Sequence, residues 1–380
     1  MVILVVAHET GSANALVPVI RDLSVLPKIR VQVLATGYAP RIFREEGIPY
    51  RQIELPEKRD AGFLRTADRL LEDFAPDLLI LGTAWEKNLE KAFLELAPAR
   101  GIRSLSIVDN WSHFRERFLK ATGPGSAFPD RVAVVDEYAQ EQALKEGIPP
   151  EQLVITGQPH LESVVEKVKS PVVVRQAAAL RQRWLAAFST EKIRLVLFVS
   201  EPFSIYSASS TPYHRGYTEV EALEGLLEAA GAVERNRALR VQVVVKLHPR
   251  ESPSCSPMAV AAASKGITTE KEAPGLASLI ASDAVVGMAS MLLFEAALAG
   301  RPTVSFEPNG KEEVAFHGSR IGAVAKASSV QELQGWLDAA LTRPAHVSSP
   351  ALARLARGRA ARKIVETALE LANAGQEVVG

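Results

Sequence analysis

The sequence predicts an α/β protein made of two doubly wound domains. Short runs of β-branched and other apolar residues alternate with longer helical patterns along almost all of its 380 residues, and this alternation implies βαβ units with right-handed crossovers. The runs are nearly continuously apolar, which is typical of parallel strands covered by helices on both faces. A chain of this length exceeds what one hydrophobic core usually supports, so two domains are expected.

The first domain is predicted over residues 1–165. Its strand-like runs are VILVVA (2–7), RVQVLAT (30–36), DLLILG (77–82), RSLSIVD (103–109), RVAVVD (131–136) and QLVITG (152–157). A helix is predicted over about 13–25, and another ends near Arg100 and Gly101. Strand–helix alternation of this kind builds an open parallel sheet.

The second domain is predicted over 193–345, after a charged, strand-poor helical linker at 166–192. Its strand-like runs are IRLVLFVSE (193–201), RVQVVVKLHP (240–249), DAVVGM (283–288) and PTVSF (302–306). A last helix within 346–380 has apolar residues at helical spacing and a basic middle. Because ligands of such sheets bind beyond the carboxyl ends of the strands, a cleft between two facing domains is expected to hold the substrates.

The composition narrows the function classes. Apolar residues make up 47% and charged residues 23% of the chain, and basic and acidic residues number 44 each, so no net charge favours nucleic acid or an anionic membrane. The single cysteine, Cys255, excludes an intramolecular disulfide, fits a reducing compartment and has no base near it in sequence. The start has only the short apolar run VILVVA before polar residues and no basic n-region, so we expect no signal peptide, and no apolar run approaches the roughly 20 residues that a membrane helix needs. We expect a cytoplasmic protein, with peripheral membrane association and oligomeric state left open.

An anion site is predicted where the strand in VVVKLHPRE (243–251) ends. Lys246, His248 and Pro249 follow β-branched residues, and this strand should lie close to the one at 283–287. The alternative is a polar cap on a loop. If the site exists, the cationic side chains and nearby backbone amides converge on one phosphate.

The turn after the strand at 283–287 is the second part of this site. Small residues there expose backbone N–H groups at the positive end of a helix dipole, with Ala289, Ser290 and Met291 at the turn. Ser290 either caps the helix or binds a phosphate oxygen. Glu295, in the second turn, can accept hydrogen bonds from ribose hydroxyls, although a core helix with an incidental Glu would give the same pattern.

KLHP followed by GMASMLLFE resembles the His-Pro and Ser motifs of bacterial sialyltransferases and related capsule or teichoic-acid polymer transferases. More broadly, the C-terminal half resembles the donor domain of GT-B fold glycosyltransferases, mainly over 193–310. The resemblance implies a GT-B-like fold, with His248 and Ser290 contacting donor phosphate and Glu295 contacting the ribose. It also implies a donor linked to CMP, CDP or UDP.

The connection after the first strand of the second domain is expected to face this donor. Ser200 and Glu201 end the strand in FVSEPF. Tyr217 starts the next helix and either stacks on the base or packs at the helix start. The polar stretch SIYSASSTPYHRGY (204–217) has the length of a lid.

The first domain is expected to hold the acceptor and the catalytic base. His8 and Glu9 follow the first strand, and an imidazole titrates near neutral pH, as deprotonation of a hydroxyl requires. Asp109 ends a later strand, and GT-B enzymes of several families have a His and an Asp at similar places. Glu9 and Asp109 are rivals to His8 as the base, and His8 can instead merely close a strand.

Acceptor-binding residues are predicted in two places of this domain. A turn containing Gly11, Ser12 and Asn14 is expected to grip an acceptor phosphate or carboxylate through backbone amides. In VDNWSHFRERF (108–118), Trp111 is a candidate for stacking on a sugar ring.

Arg115 and Arg117 of the same stretch are candidates for binding an anionic group. The stretch fits an amphipathic surface helix with buried aromatics equally well. Gln158 and His160 are further expected to face the cleft.

We therefore predict a glycosyltransferase that moves a sugar from a nucleotide donor to a small or glycan acceptor. No Asp-x-Asp motif and no His/Cys cluster indicates a metal, and no cofactor is expected beyond the nucleotide-sugar substrate. Three alternatives remain: a UDP-sugar 2-epimerase, a CDP-polyol phosphotransferase and a non-catalytic nucleotide-sugar binding protein. Nucleic acid is not expected as a partner.

Overall fold

The computed structural model describes residues 1–54, 61–188, 192–206, 215–311, 315–343 and 349–377. The chain divides into two compact units, one of Met1–Ser163 with Arg357–Gly380 and one of Val164–Ala356. Among the described residues, no helix combines the length and the apolar character that crossing a bilayer requires.

The first unit contains a seven-stranded parallel sheet in the order β3-β2-β1-β4-β5-β6-β7. The strands are β1 (Val2–Ala7), β2 (Arg30–Ala35), β3 (Arg51–Gln52), β4 (Leu78–Leu81), β5 (Arg103–Ile107), β6 (Arg131–Val134) and β7 (Leu153–Ile155). The central strands form because their continuous apolar runs are buried on both faces, as the fully enclosed β4 illustrates.

The helices of the first unit follow its strands. They are α1 (Thr10–Ser24), α2 (Ala39–Glu45), α3 (Ala61–Phe74), α4 (Leu89–Leu96), α5 (Phe114–Arg117), α6 (Glu137–Lys145) and α7 (Pro159–Lys167), whose end lies in the second unit. α1 begins at Thr10 rather than near residue 13, because Glu9 is extended and its carbonyl accepts the amide of Ala13.

The second unit contains a six-stranded parallel sheet in the order β10-β9-β8-β11-β12-β13. The strands are β8 (Ile193–Val199), β9 (Arg240–Lys246), β10 (Thr268–Glu270), β11 (Ala284–Gly287), β12 (Thr303–Phe306) and β13 (Ala325–Ala327). Two parallel-sheet α/β units were predicted, and the fold class is confirmed.

The remaining helices complete the two units. They are α8 (Pro171–Leu185), α9 (Glu219–Arg237), α10 (Pro257–Ser264), α11 (Gly275–Ala281), α12 (Met291–Leu298), α13 (His317–Arg320), α14 (Val330–Thr342), α15 (Pro350–Ala356) and α16 (Ala360–Glu377). α8 lies in the segment predicted as a linker and packs against α11 within the second unit. α16 packs against α1, β4 and β5 of the first unit.

Candidate functional site

Each sheet has one point where the strand order reverses, and ligands of doubly wound proteins bind beyond the strand ends at such a point. In the second unit this switch point lies between β8 and β11, and in the first unit between β1 and β4. The residues singled out from sequence follow these strands or their neighbours.

Glu201 follows β8 and reaches the turn after β11. Its Oε2 accepts a hydrogen bond of 3.0 Å from the amide of Ala289. Burial raises the pKa of Glu201 to about 7, with Arg215 acting in the opposite direction. The residue as a whole is half-buried, and its raised pKa makes it an acid that exchanges its proton near neutral pH.

The turn between β11 and α12 is built for close packing. A Cβ on Gly287 would lie 2.8 Å from Leu293 Cδ2 and 3.2 Å from Val199 Cβ, so only glycine lets these elements approach. Ser290 is the N-cap of α12, and its hydroxyl accepts from the amide of Leu292 at 3.4 Å. Glu295, in α12, is 6% exposed.

His248 follows β9 and is held as a neutral imidazole. Burial, together with the positive charges of Arg250 and Lys271, lowers its pKa to about 4. Its Nδ1 accepts from the amide of Arg250 at 3.1 Å, which leaves the ring proton on Nε2. His248 is therefore suited to donate one neutral hydrogen bond to a ligand oxygen, not to supply a charge.

Glu251 ties the ends of β8 and β9 together and was missed as a site residue. Its carboxylate accepts from Ser200 Oγ at 2.9 Å and from the amide of His248 at 2.7 Å. The residue is 2% exposed, and burial raises its pKa. Its position directly after His-Pro-Arg was the signal in the sequence that could have identified it as a site residue. Ser200, 1% exposed, thus positions this carboxylate.

The Lys246 side chain is bound by backbone carbonyls of the second unit. Its ammonium donates to the carbonyl oxygens of Lys271 and Ala273 at 2.6 and 2.7 Å, and the residue is 7% exposed. The two carbonyls satisfy the charge inside the second unit. Lys271 is, with Arg250, a cation near His248, and its Nζ donates to the carbonyl of Glu251 at 2.7 Å. Pro249 begins the turn that directly follows His248.

Tyr217 packs in the core of the second unit instead of presenting its ring to a ligand. It is 3% exposed and meets Phe203 edge to face at 5.8 Å between ring centroids. Its hydroxyl has no hydrogen-bond partner within the described chain. Burial and the charge of Glu307 raise the pKa of this hydroxyl. Of the predicted lid, residues 207–214 lie outside the described residues.

Glu307, which follows β12, is a second carboxylate that the sequence interpretation missed. It is 2% exposed and accepts from Ser305 Oγ at 3.0 Å and from the amide of Phe316 at 3.1 Å. The switch point of the second unit is consequently surrounded by carboxylates that the protein satisfies with its own donors.

His8 of the first unit lies where β1 ends and meets a second strand end. Its Nδ1 is 2.8 Å from Thr36 Oγ1. Gly37 has a φ of +54°, and a Cβ there would lie 2.6 Å from the His8 ring, so glycine serves both the turn and the imidazole. The amide of His8 donates to Glu90 Oε1 at 3.0 Å.

Glu90 is an enclosed carboxyl group at the switch point of the first unit. It is 1% exposed, and Asn88 Nδ2 donates to its Oε2 at 2.8 Å. Burial raises its pKa to about 8, so it is mostly protonated at neutral pH. A Cβ on Gly82 would lie 2.6 Å from Glu90 Oε1. In the sequence, Glu90 lies in an apolar helical stretch, so nothing there indicated that its carboxyl group would be enclosed at the switch point.

Asp109 and Arg117 form a buried ion pair, with 3.1 Å between Oδ1 and the guanidinium. Arg117 is 4% exposed and also donates to Thr83 Oγ1 at 2.7 Å. A Cβ on Gly11 would lie 2.0 Å from Asp109 Oδ2. Arg117 therefore neutralises Asp109 inside the unit, and its part in acceptor binding stays a prediction.

The other predicted acceptor residues are distributed differently from the expectation. Gly11, Ser12 and Asn14 lie in the first turns of α1, and Ser12 is fully buried. Glu9 is the N-cap of that helix, and its carbonyl accepts from Ser12 Oγ at 3.1 Å. The predicted turn is helical from Thr10 onward.

The stretch 108–118 contains only the short helix α5, because His113 has a φ of +62°. Trp111 is 7% exposed, and its indole donates to Asp136 at 2.8 Å, which leaves little ring surface for stacking on a sugar. Arg115 is exposed. Gln158 is buried and bridges the carbonyl of Asp109 and the amide of His160.

Comparisons with known proteins add structural relatives. The sequence matches no family model, and no curated protein matches it significantly. The fold is similar to that of UDP-GlcNAc 2-epimerase from Neisseria meningitidis bound to UDP-GlcNAc, with a TM-score of 0.67, 15% identity, and coverage of 97% of this chain and 100% of that chain.

Two further solved structures are similar over nearly their full length. UDP-GlcNAc 2-epimerase from Methanocaldococcus jannaschii in complex with UDP-GlcNAc and UDP has a TM-score of 0.66 at 13% identity, with coverage of 97% and 99% of the two chains. Anabaena HepE in complex with UDP and glucose has a TM-score of 0.62 at 13% identity, with coverage of 97% and 98%. The chain therefore has the GT-B-like fold that was predicted. None of these matches supports the predicted resemblance to sialyltransferases.

Proposed function

We propose that the protein binds a UDP-sugar at the switch point of its second unit and acts on it as a 2-epimerase. This replaces glycosyl transfer, the main prediction from the sequence, by one of its alternatives. The UDP-GlcNAc 2-epimerases with similar folds support the choice, since they match this chain over nearly its whole length.

The observation that carries the proposal is Glu201. Epimerisation at C2 of a UDP-sugar removes the C2 proton as the C1–O bond to UDP breaks. It then returns a proton to the opposite face of C2 as UDP adds back to C1, so it needs groups that exchange protons near neutral pH. Glu201 has a pKa of about 7, is partly exposed and lies beside the β11–α12 turn. Among the described residues of the second unit, it is the group that combines these three properties.

The nucleotide is expected to lie against the same turn. Ala289 and the N-terminus of α12 supply backbone N–H groups, and His248 supplies a neutral N–H donor. Glu295 is the candidate for the ribose, as predicted from the sequence. Lys246 has no part in this arrangement, because its ammonium is engaged by two carbonyls.

The test is incubation of the protein with UDP-GlcNAc in D2O without any acceptor, followed by proton NMR. A 2-epimerase gives the C2 epimer and loses the C2 proton signal to deuterium. Glu201→Gln should slow this turnover by about 10²–10⁴-fold, while Glu332→Gln, on the surface of α14, should leave it unchanged. Absence of both deuterium and epimer at high protein concentration would refute the proposal.

A glycosyltransferase is the second candidate, and Anabaena HepE in complex with UDP and glucose is the observation in its favour. In that case His8, with Nδ1 on Thr36, is the proposed base toward an acceptor hydroxyl. This candidate predicts release of UDP only when an acceptor is added, and no deuterium at C2. The same NMR experiment therefore separates the two activities.

A further inference from the structure

Glu201 occupies a backbone donor that an incoming phosphate would need. The amide of Ala289 has one hydrogen, and Glu201 Oε2 accepts it at 3.0 Å. This amide lies just ahead of α12, whose N-terminus carries partial positive charge. A carboxylate and a phosphate oxygen are the same kind of ligand for such a position.

We propose that Glu201 and a phosphate of the bound nucleoside diphosphate compete for the Ala289 N–H, so that nucleotide binding adds one proton from solvent to Glu201. The inference rests on the proposed binding of UDP at this switch point. Once protonated, the carboxyl group no longer repels the phosphate and becomes a hydrogen-bond donor itself. The Glu201 carboxylate thereby occupies the Ala289 N–H until the nucleotide binds.

The groups around Glu201 favour proton uptake over retention of a second negative charge. Arg215, from the connection between β8 and α9, is the nearby cation, whereas Glu251 after β9 and Glu307 after β12 are carboxyl groups that disfavour its ionised form. Because Glu251 and Glu307 already disfavour the ionised form, addition of a polyanionic ligand raises the proton affinity of Glu201 further.

A second observation points to the same place. The hydroxyl of Tyr217 is buried, has no hydrogen-bond partner within the described chain, and interacts electrostatically with Glu201 and Glu307. A buried hydroxyl without a partner costs free energy. A ligand oxygen, or a rotated Glu201 carboxyl, supplies the acceptor that this hydroxyl lacks.

The test is the affinity for UDP between pH 7 and 9, where the terminal phosphate of UDP is already ionised. The dissociation constant of the wild type should rise about tenfold per pH unit above the pKa of Glu201. Calorimetry in buffers of different ionisation enthalpy should detect uptake of close to one proton at pH 8. Glu201→Gln should bind UDP with a pH-independent dissociation constant and no proton uptake.

The matched control is Glu307→Gln, which also removes a nearby negative charge but leaves the Ala289 N–H contact in place. It should keep the pH dependence and the proton uptake. If Glu201→Gln does not fold, the Ala289 amide of the wild type serves instead: its NMR shift should titrate near pH 7 alone and stop titrating with saturating UDP.

UDP binding without proton uptake, or with equal uptake in wild type and Glu201→Gln, would overturn the competition and leave the proposed function standing. Titration of the Ala289 amide that continues unchanged in saturating UDP would do the same. No binding of UDP at any pH would overturn both.

Discussion

The two switch points hold the same kind of residue in opposite settings. Glu90 in the first unit and Glu201 in the second each lie beyond a strand at the reversal of strand order, and burial raises the pKa of both toward neutrality. Glu90 is enclosed and accepts two hydrogen bonds from the chain. Glu201 is partly exposed and accepts one from a turn suited to an anion.

A raised pKa alone therefore does not mark a reacting group. Glu90 is 1% exposed and fixes the amide of His8, which makes it a neutral structural acid. The Glu201 residue is half-buried and lies at a turn suited to an anion, which makes it a candidate to gain or lose its proton during a reaction.

Removal of the buried, ion-paired Asp109 should destabilise the first unit far more than removal of Glu201 destabilises the second unit. Asp109→Ala leaves Arg117 without its anionic partner and should lower the free energy of unfolding by about 3–5 kcal/mol. Glu201→Ala should lower it by at most about 1 kcal/mol. Urea denaturation followed by circular dichroism measures the free energy of unfolding of both variants. Similar losses in the two variants would show that the two carboxylates do not differ in their contribution to stability.

The pH dependence of stability should reveal the enclosed acid. The pKa of Glu90 is raised to about 8 in the folded state. Its contribution to the free energy of unfolding is therefore fully present below pH 4.5 and is lost as the pH rises through 8. In that window the slope is at most about 1.4 kcal/mol per pH unit. Glu90→Gln should be less pH-dependent than the wild type between pH 5 and 8, as thermal unfolding at several pH values would test.

A methyl group should be harmful beside the buried pair and harmless elsewhere. Gly11→Ala would bring a Cβ within 2.0 Å of Asp109 Oδ2, and overpacking of this kind costs about 1–3 kcal/mol. Gly335→Ala, in α14 with nothing within 4 Å of the added Cβ, should stabilise by up to about 1 kcal/mol. If both changes have the same sign, packing against Asp109 is not what requires glycine at position 11.

The smallest effect is expected at His248. Its Nε2–H is the group proposed to face the nucleotide, so His248→Gln, which offers an amide N–H at a similar reach, should weaken UDP binding less than His248→Asn. Loss of one neutral hydrogen bond corresponds to about 1 kcal/mol, or roughly fivefold in the dissociation constant. Fluorescence titration with UDP at pH 7 measures this, and an equal loss in both variants would contradict the assignment of the ring proton.

The fold was predictable because its signals are local. Continuous apolar runs identified β1, β4, β8 and β11 with both of their ends nearly right, and the cap of α12 at Ser290 follows from serine's side-chain chemistry. These features depend on neighbours in sequence. The alternation of strands with helices then left only one sheet architecture open.

The candidate site was less predictable because its residues are fixed by partners far along the chain. Lys246 turns to carbonyls 25 and 27 positions away, and Trp111 to a carboxylate 25 positions away. Glu90 looked like an ordinary helical acid, since its enclosure depends on His8, which is 82 positions away. Burial of a polar side chain becomes visible only once the sheet has assembled.

The position of α16 has a consequence for how the protein is made. Ile364 and Ala368 of this helix are fully buried in the core of the first unit, among residues of α1, β4 and β5. The ribosome synthesises the entire second unit before it synthesises these residues. The first unit to be synthesised is thus the last whose core is complete, and until then its apolar sheet face is a surface that chaperones would recognise.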